Sequence, residues 1–438
     1  MTSVICLLLL SGCTVGPDYQ RPTMTMPLHY KEARGWRQAA PQDSVGKGEW
    51  WAVYRDPQLD SLLRQVSISN QNVANYTALY RQAQALAAGS RADLFPTLGY
   101  DASSTRSGSR SSGQRTTGNT HQAELSASWE LDLWGKLRRT LEENRASAEA
   151  SAAELANITL SAQSELAQDY FQLRVMDEQI ALYQRSVAAY EGYLRVINNK
   201  YQAGSESRAT LAQAQMQLEH AIALLIGRAP AQFSLPAAKL TATLPAIPQA
   251  LPAQLLQRRP DIAEAERNVA AANAAVGVAI AGYYPDLTLS ASGGVSSSAL
   301  HNLLSLPNRV WSLGPSLSGT VLDFGATSAE VEQARAAYDA KVASYRQTVL
   351  EALQEVENYL VELNTLQGEV ASQQRATVAA QESARITRNQ YDAGMIDYLD
   401  VATTENSRLS EQQNLLALQS TQWVASVKLI VALGGSWG

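Results

Sequence analysis

The sequence predicts a mainly α-helical chain carrying membrane-type β-strands, laid out twice on one plan. Three observations predict this: a very long helical stretch, segments that alternate strictly between apolar and polar residues, and the recurrence of both at a fixed offset. Residues 136–203 contain no proline, and Gly192 is their only glycine. Within them Leu173, Met176, Ile180, Tyr183, Val187, Tyr190, Leu194, Ile197 and Tyr201 step alternately by three and four, the seam of a supercoiling helix. As one helix the stretch would reach roughly 100 Å at ~1.5 Å per residue. A long coiled coil alone would account for it; the flanks add more. Ala123, Leu125, Ala127, Trp129, Leu131 and Leu133 alternate with Glu124, Ser126, Ser128, Glu130 and Asp132. That is a strand with one greasy and one wet face, of a length that suits a membrane barrel.

Composition narrows the function. The 438 residues are 17% charged and 7% aromatic, with a net charge of −6, which argues against a nucleic-acid partner. Four His and two Cys leave no room for a multi-ligand metal site of the usual spacing. His29, His121, His220 and His301 are scattered, and no phosphate-cradling glycine loop is present, so an enzyme is not expected. No apolar run approaches the ~20 residues of a spanning helix, so membrane contact must come from strands or a lipid anchor.

Residues 1–12 read as a lipoprotein signal peptide. Leu10-Ser11-Gly12-Cys13 follows a short apolar core, and the Cys13 thiol would take a diacylglycerol and its freed amine an acyl chain. The segment before the core holds no Lys or Arg, a departure from the usual pattern. Cys6 lies in the part removed. Thr14, in place of an Asp, favours sorting to the outer membrane. No other cofactor is expected. Residues 13–55 read as a lipidated tether rich in Pro and Gly, with Trp50-Trp51 as a packing anchor.

The first repeat is expected over 56–227. Asp56-Pro57 caps a helix running to about Asp93. Strands follow at ~96–104 and ~121–133 around a polar loop at 104–120. Then come the long helix 136–203, a turn at Gly204 and a short helix 206–226. Residues 228–260, with six prolines, form an irregular connector. The second repeat, 261–435, holds a helix, strands at ~286–293 and ~310–322, the long helix 326–393 and the short helix 397–433. Gly135 to Gly325 and Gly204 to Gly394 are each 190 residues apart, and Pro96 to Pro285 is 189. Two halves of one plan are a specific signal.

Four strands cannot close a barrel, and open edges are not tolerated in lipid. Three chains supply twelve strands. The expected architecture is therefore a trimeric 12-stranded β-barrel continued by an α-helical barrel in the periplasm.

The chain resembles the outer membrane factors, the TolC-like channels of tripartite efflux systems, in their lipoprotein (NodT-type) branch. The residues carrying the likeness are Leu10-Ser11-Gly12-Cys13 with Thr14-Val15-Gly16-Pro17-Asp18-Tyr19, Trp50-Trp51 and Leu131-Asp132-Leu133-Trp134-Gly135. Others are the two Tyr-x-Ala-Gly turns, Arg259-Pro260-Asp261-Ile262 and Tyr398-Leu399-Asp400-Val401. The resemblance implies a homotrimer in the outer membrane, a periplasmic adaptor and an inner-membrane pump that supplies the energy. It implies adaptor docking at the tip turns of Gly204 and Gly394, and an acidic gate at Asp400. Three Asp400 carboxylates in a narrow pore would repel one another and favour cations; equally, Asp400 is suited to capping or solvating the last helix. Thr403 stands where a second acid often sits, and Asp397 is a capping candidate. The first return helix is 17 residues shorter than its counterpart, about 25 Å of helix. A periplasmic adaptor and a poreless coiled-coil lipoprotein are the alternatives. The cargo stays open among drugs, aromatic compounds and metal ions.

Overall fold

The structure is a computed structural model that describes residues 14–24, 30–31, 49–111, 114–194, 223, 228–234, 236–238, 240, 242, 244–245, 259–396 and 398–435. Cys13, Gly204, Asp397 and nearly all of the short helix expected at 206–226, including its shortfall, lie outside the described residues. The chain divides into two compact units, and each draws on both sequence repeats.

The first unit combines Met1–Thr23, Leu79–Ala152 and Glu264–Tyr345. Its centre is one antiparallel sheet, ordered β1-β2-β3-β4, made of β1 (Thr97–Ser111), β2 (Gln114–Leu131), β3 (Asp286–Ser297) and β4 (Arg309–Ser318). Helices join it at one end only. Thr97 pairs with Ser128, Leu131 with Leu287, and Asp286 with Ser318, so the four strand termini that meet helices lie together.

The strands differ from expectation in length. The described residues of 104–120 are strand where a loop was expected: β1 continues to Ser111, and all its residues pair with β2 down to Ser111↔Gln114. The Ser, Thr and Arg there satisfy their backbones in the ladder, which polarity does not prevent. β3 runs past ~293 to Ser297, and the residues after it form 3₁₀ turns at Leu300–Asn302 and Leu306–Asn308. β4 stops at Ser318 instead of ~322. Its partner begins at Asp286, so later residues have nothing to pair with.

Two helices replace the single one expected from Asp56 to Asp93: α1 (Pro57–Ser69) and α2 (Gln71–Ala92). Asn70 between them has extended backbone, and its side-chain oxygen accepts from Asn72 N (2.9 Å) and Val73 N (3.1 Å). It is a cap between helices. Asp56 does the same for α1, accepting from Gln58 N at 2.9 Å and Leu59 N at 3.2 Å, with Pro57 at the first helical position. The long helix α3 is described over Lys136–Leu194; α4 spans Pro260–Ala281, α5 Ala326–Asp392 and α6 Tyr398–Ala432.

The second unit combines Met24–Ala78, Ala153–Ala263 and Arg346–Gly438. Its core is aromatic. The 3₁₀ turn Trp50–Tyr54 buries both tryptophans and Tyr54. Tyr54 lies 4.8 Å from Phe171, and Phe171 stacks on Trp423 at 4.8 Å and 23°. Trp50 Nε1 donates to Gln163 and Trp51 Nε1 to Asp60. The segment Asp400–Ala432 of α6 is long and apolar enough to cross a membrane, contrary to the sequence reading. Its Trp423, Val427, Leu429 and Ile430 are spent inside this core.

Candidate functional site

The sheet is a wall with two unlike faces. Alternation puts Leu98 and Tyr100 of β1, Leu125 and Trp129 of β2, Leu289 of β3, and Trp311, Leu313 and Leu317 of β4 on one side. Tyr100 is 86% exposed, Trp311 81%, Leu313 76% and Leu98 75%. An apolar face left largely bare by the described residues marks a surface built for lipid or another chain. Ser and Thr occupy the other side together with Asp101, Glu124, Glu130 and Asp286. β1 and β4 each have one neighbour, so both sheet edges are open.

Below the wall the chain turns a corner twice. Asp132 accepts from Leu137 N and Arg138 N, both at 3.0 Å, and from Arg138 Nε. Asp323 accepts from Gly325 N at 3.0 Å and Thr327 N at 2.8 Å. Each carboxylate satisfies free amides at the start of a long helix. Gly135 (φ +84) and Gly325 (φ +96) supply the left-handed residue that each corner needs. Trp134 donates to Pro285 O at 3.0 Å and stacks on Tyr284, and Lys136 pairs with Asp286 at 3.2 Å.

The residues after Cys13 lie along the first corner. Val15 N donates to Trp134 O at 2.9 Å. The buried Arg139 donates to Val15 O, Gly16 O, Asp18 and Glu142. Asn273 donates to Pro17 O, and Tyr19 Oη to Glu266, which Arg267 also holds. Gly16 approaches Gly277 so closely that a Cβ would sit 2.5 Å from its Cα.

At the turn after α5, the helix ends on Gly394 (φ +74), whose N–H bonds Tyr391 O at 2.8 Å while Met395 N bonds Gln390 O at 2.9 Å. This is a Schellman closure. Asp400 stands in the first turn of α6, exposed, with its backbone carbonyl accepting from Thr404 Oγ1. The described structure brings Asp400 and Gly394 to one turn; Gly204 and Cys13 lie outside the described residues.

Sequence reasoning missed two buried arginines and a partly buried one. Besides Arg139, Arg174 donates to Asp177 at 2.8 Å, Pro236 O at 2.9 Å and Gln58, and lies over the Tyr170 ring. Arg259 binds Asp261 and Glu355 and donates to Ala432 O at 3.0 Å, closing the C-terminus of α6. The run Arg259-Pro260-Asp261-Ile262 held this signal. Asp169 on α3 has its carboxyl pushed up to about 6 by burial and then by Glu165. Among the described residues no group of three or more His, Cys, Asp or Glu could hold a metal ion.

A family model described as outer membrane efflux protein matches residues 62–232 and 251–435. The cation efflux system protein CusC of Escherichia coli is 28% identical, with 98% of this chain and 97% of that protein covered. The toluene efflux pump outer membrane protein TtgI of Pseudomonas putida is 29% identical over 99% of this chain and 97% of its own. Among solved structures, the outer-membrane channel OprN superposes with a TM-score of 0.86 at 30% identity, covering 97% of this chain and all of that one.

Proposed function

Because the chain belongs to the outer membrane efflux protein family, and so is an outer membrane channel component of an efflux system, we propose that three copies close one twelve-stranded barrel as a passive exit duct. The adaptor and structural-lipoprotein alternatives give way to that family membership. One observation supports the closure above the others: a four-stranded sheet with an exposed apolar face and two open edges. Edge β1 of one copy pairing with edge β4 of the next removes every edge, as lipid requires. The apolar residues then face acyl chains, and the Ser, Thr and carboxylates line water.

An inner-membrane pump drives transport through a periplasmic adaptor, which docks on the turns at Gly204 and Gly394. Asp400 rings the narrow end, where three carboxylates favour cations. Cys13 carries the lipid. The pinning of Val15 to Trp134 and of Asp18 to Arg139 supports this, since it anchors the segment that follows Cys13 at the first corner. The relatives named above are named for cations and for toluene, so likeness does not choose the cargo; the pump and adaptor do.

Planar-bilayer recording of the purified chain tests the duct: a conducting trimer is expected, and a monomer without conductance overturns it. Asp400→Ala should raise conductance and lessen cation preference; unchanged values would leave Asp400 as a helix-start residue only. Mass spectrometry should find Cys13 acylated and Cys13→Ser unmodified.

A further inference from the structure

The strands segregate charge by face. All four of their arginines, Arg106 and Arg110 on β1, Arg115 on β2 and Arg309 on β4, share the face of Tyr100, Leu125 and Trp311. All four of their carboxylates, Asp101, Glu124, Glu130 and Asp286, take the opposite one. Arg309 pairs with Val295, Val295 with Ala123 and Ala123 with Ala102, so Arg309 stands at the rim of the apolar belt. Arg106 lies about 13 Å further from the helices, and Arg110 with Arg115 about 26 Å further, at ~3.3 Å per residue.

Among the described residues these guanidinium groups have no partners. All four residues are exposed, and none makes an ion pair or side-chain hydrogen bond with a described residue. Arg110 and Arg115 stand directly opposite each other, an arrangement that costs stability unless an anion lies between them. From Thr105 to Thr120 there is no acidic residue at all. The planar fork of Arg matches phosphate oxygens bidentately.

We propose that this face binds the phosphate groups of the phosphorylated glycolipid, lipopolysaccharide, that surrounds the barrel in the outer leaflet. The inference rests on the barrel reading, which places the hairpin ends away from the periplasmic helices. Charge complementarity identifies the occupant: cations confined to the lipid-facing side, beginning where the apolar belt ends, meet headgroup phosphates and nothing in the pore. A pore-selectivity role would need them on the other face.

The full-length protein, purified in mild detergent, would be given lipid A carrying both phosphates or the same lipid dephosphorylated, with bound lipid counted by native mass spectrometry. The phosphorylated form should be retained about tenfold better. Arg106→Ser, Arg110→Ser and Arg115→Ser together should abolish that preference. A second variant keeps net charge but moves it across the sheet, combining those three changes with Thr105→Arg, Ser109→Arg and Thr116→Arg; it should also lose the preference. Equal retention of both lipids by the unaltered protein overturns the proposal, as does full preference in the swapped variant. The unaltered protein decides the matter even if a variant fails to assemble. Conductance of the same samples separates the two readings. A conducting trimer indifferent to phosphate refutes only the arginine site; absence of any conducting trimer refutes the barrel.

Discussion

The corners at Gly135 and Gly325 solve the same problem and are finished differently. Both pass from strand to long helix through an aspartate cap and a left-handed glycine. At the first, Thr14 presses on Gly135, where an added Cβ would meet its Cγ2 at 2.7 Å, and Arg139 locks the segment down. At the second, no described residue beyond the glycine's chain neighbours lies within 4 Å of that position, Phe324 is 93% exposed, and Val321 and Leu322 are exposed. Local geometry is thus written into each repeat, while packing is supplied from outside it. The first corner takes its cover from the N-terminal segment. The second keeps an apolar surface that twofold repetition within one chain cannot cover and that a neighbouring subunit can.

The largest expected effect comes from removing the lock. Arg139→Ala deletes a buried side chain and leaves its carbonyl partners unbonded, and should cost about 3–4 kcal/mol. Thermal unfolding and protease cleavage near Asp18 should both register it. If Arg139→Ala proves neutral, the first corner is no better braced than the second. Next, Gly135→Ala should cost about 3 kcal/mol, combining an unfavourable φ with a clash, whereas Gly325→Ala carries only the backbone part, about 1–2 kcal/mol. Equal losses would erase the distinction. Phe324→Ser should change stability of the separate chain by less than ~0.5 kcal/mol. It should nevertheless shift the trimer–monomer balance toward monomer in analytical ultracentrifugation, if the bare corner is an interface.

The smallest effect is electrostatic. Hydrogen bonds from Thr327 and then Gly325 hold the Asp323 carboxyl below its ordinary 3.8, at about 2. A depressed acid stabilises the folded state above its unfolded value and loses that contribution as pH falls through its folded one. Acid titration between about pH 4 and pH 2 should therefore loosen the Gly325 corner, and Asp323→Asn should remove that step from the acid-unfolding profile.

Much of this was legible from the chain alone. The apolar face of the strands shows because alternation is local and lipid tolerates no exceptions over Leu125, Trp129 and Leu131. Asp56-Pro57 and the turn at Gly394 were readable for the same reason: caps and left-handed turns are chosen by one or two residues. The run 104–120 misled, since Ser, Thr and Gly compose both loops and water-exposed strands. Asn70 was hidden inside an otherwise helical pattern. The arginine locks could not be seen, because Arg139 finds Asp18 across 121 positions and Arg174 finds Pro236 across 62. Such pairings leave no local trace.

Each compact unit takes pieces from both halves of the chain. The sheet makes the point: its middle seam, β2 against β3, joins one ancestral copy to the other. Duplication therefore ended the independence of what it duplicated. A protein cut within the connector should remain associated as two fragments, and either fragment made alone should meet the fate of an orphan, cleared before it ever reaches the membrane.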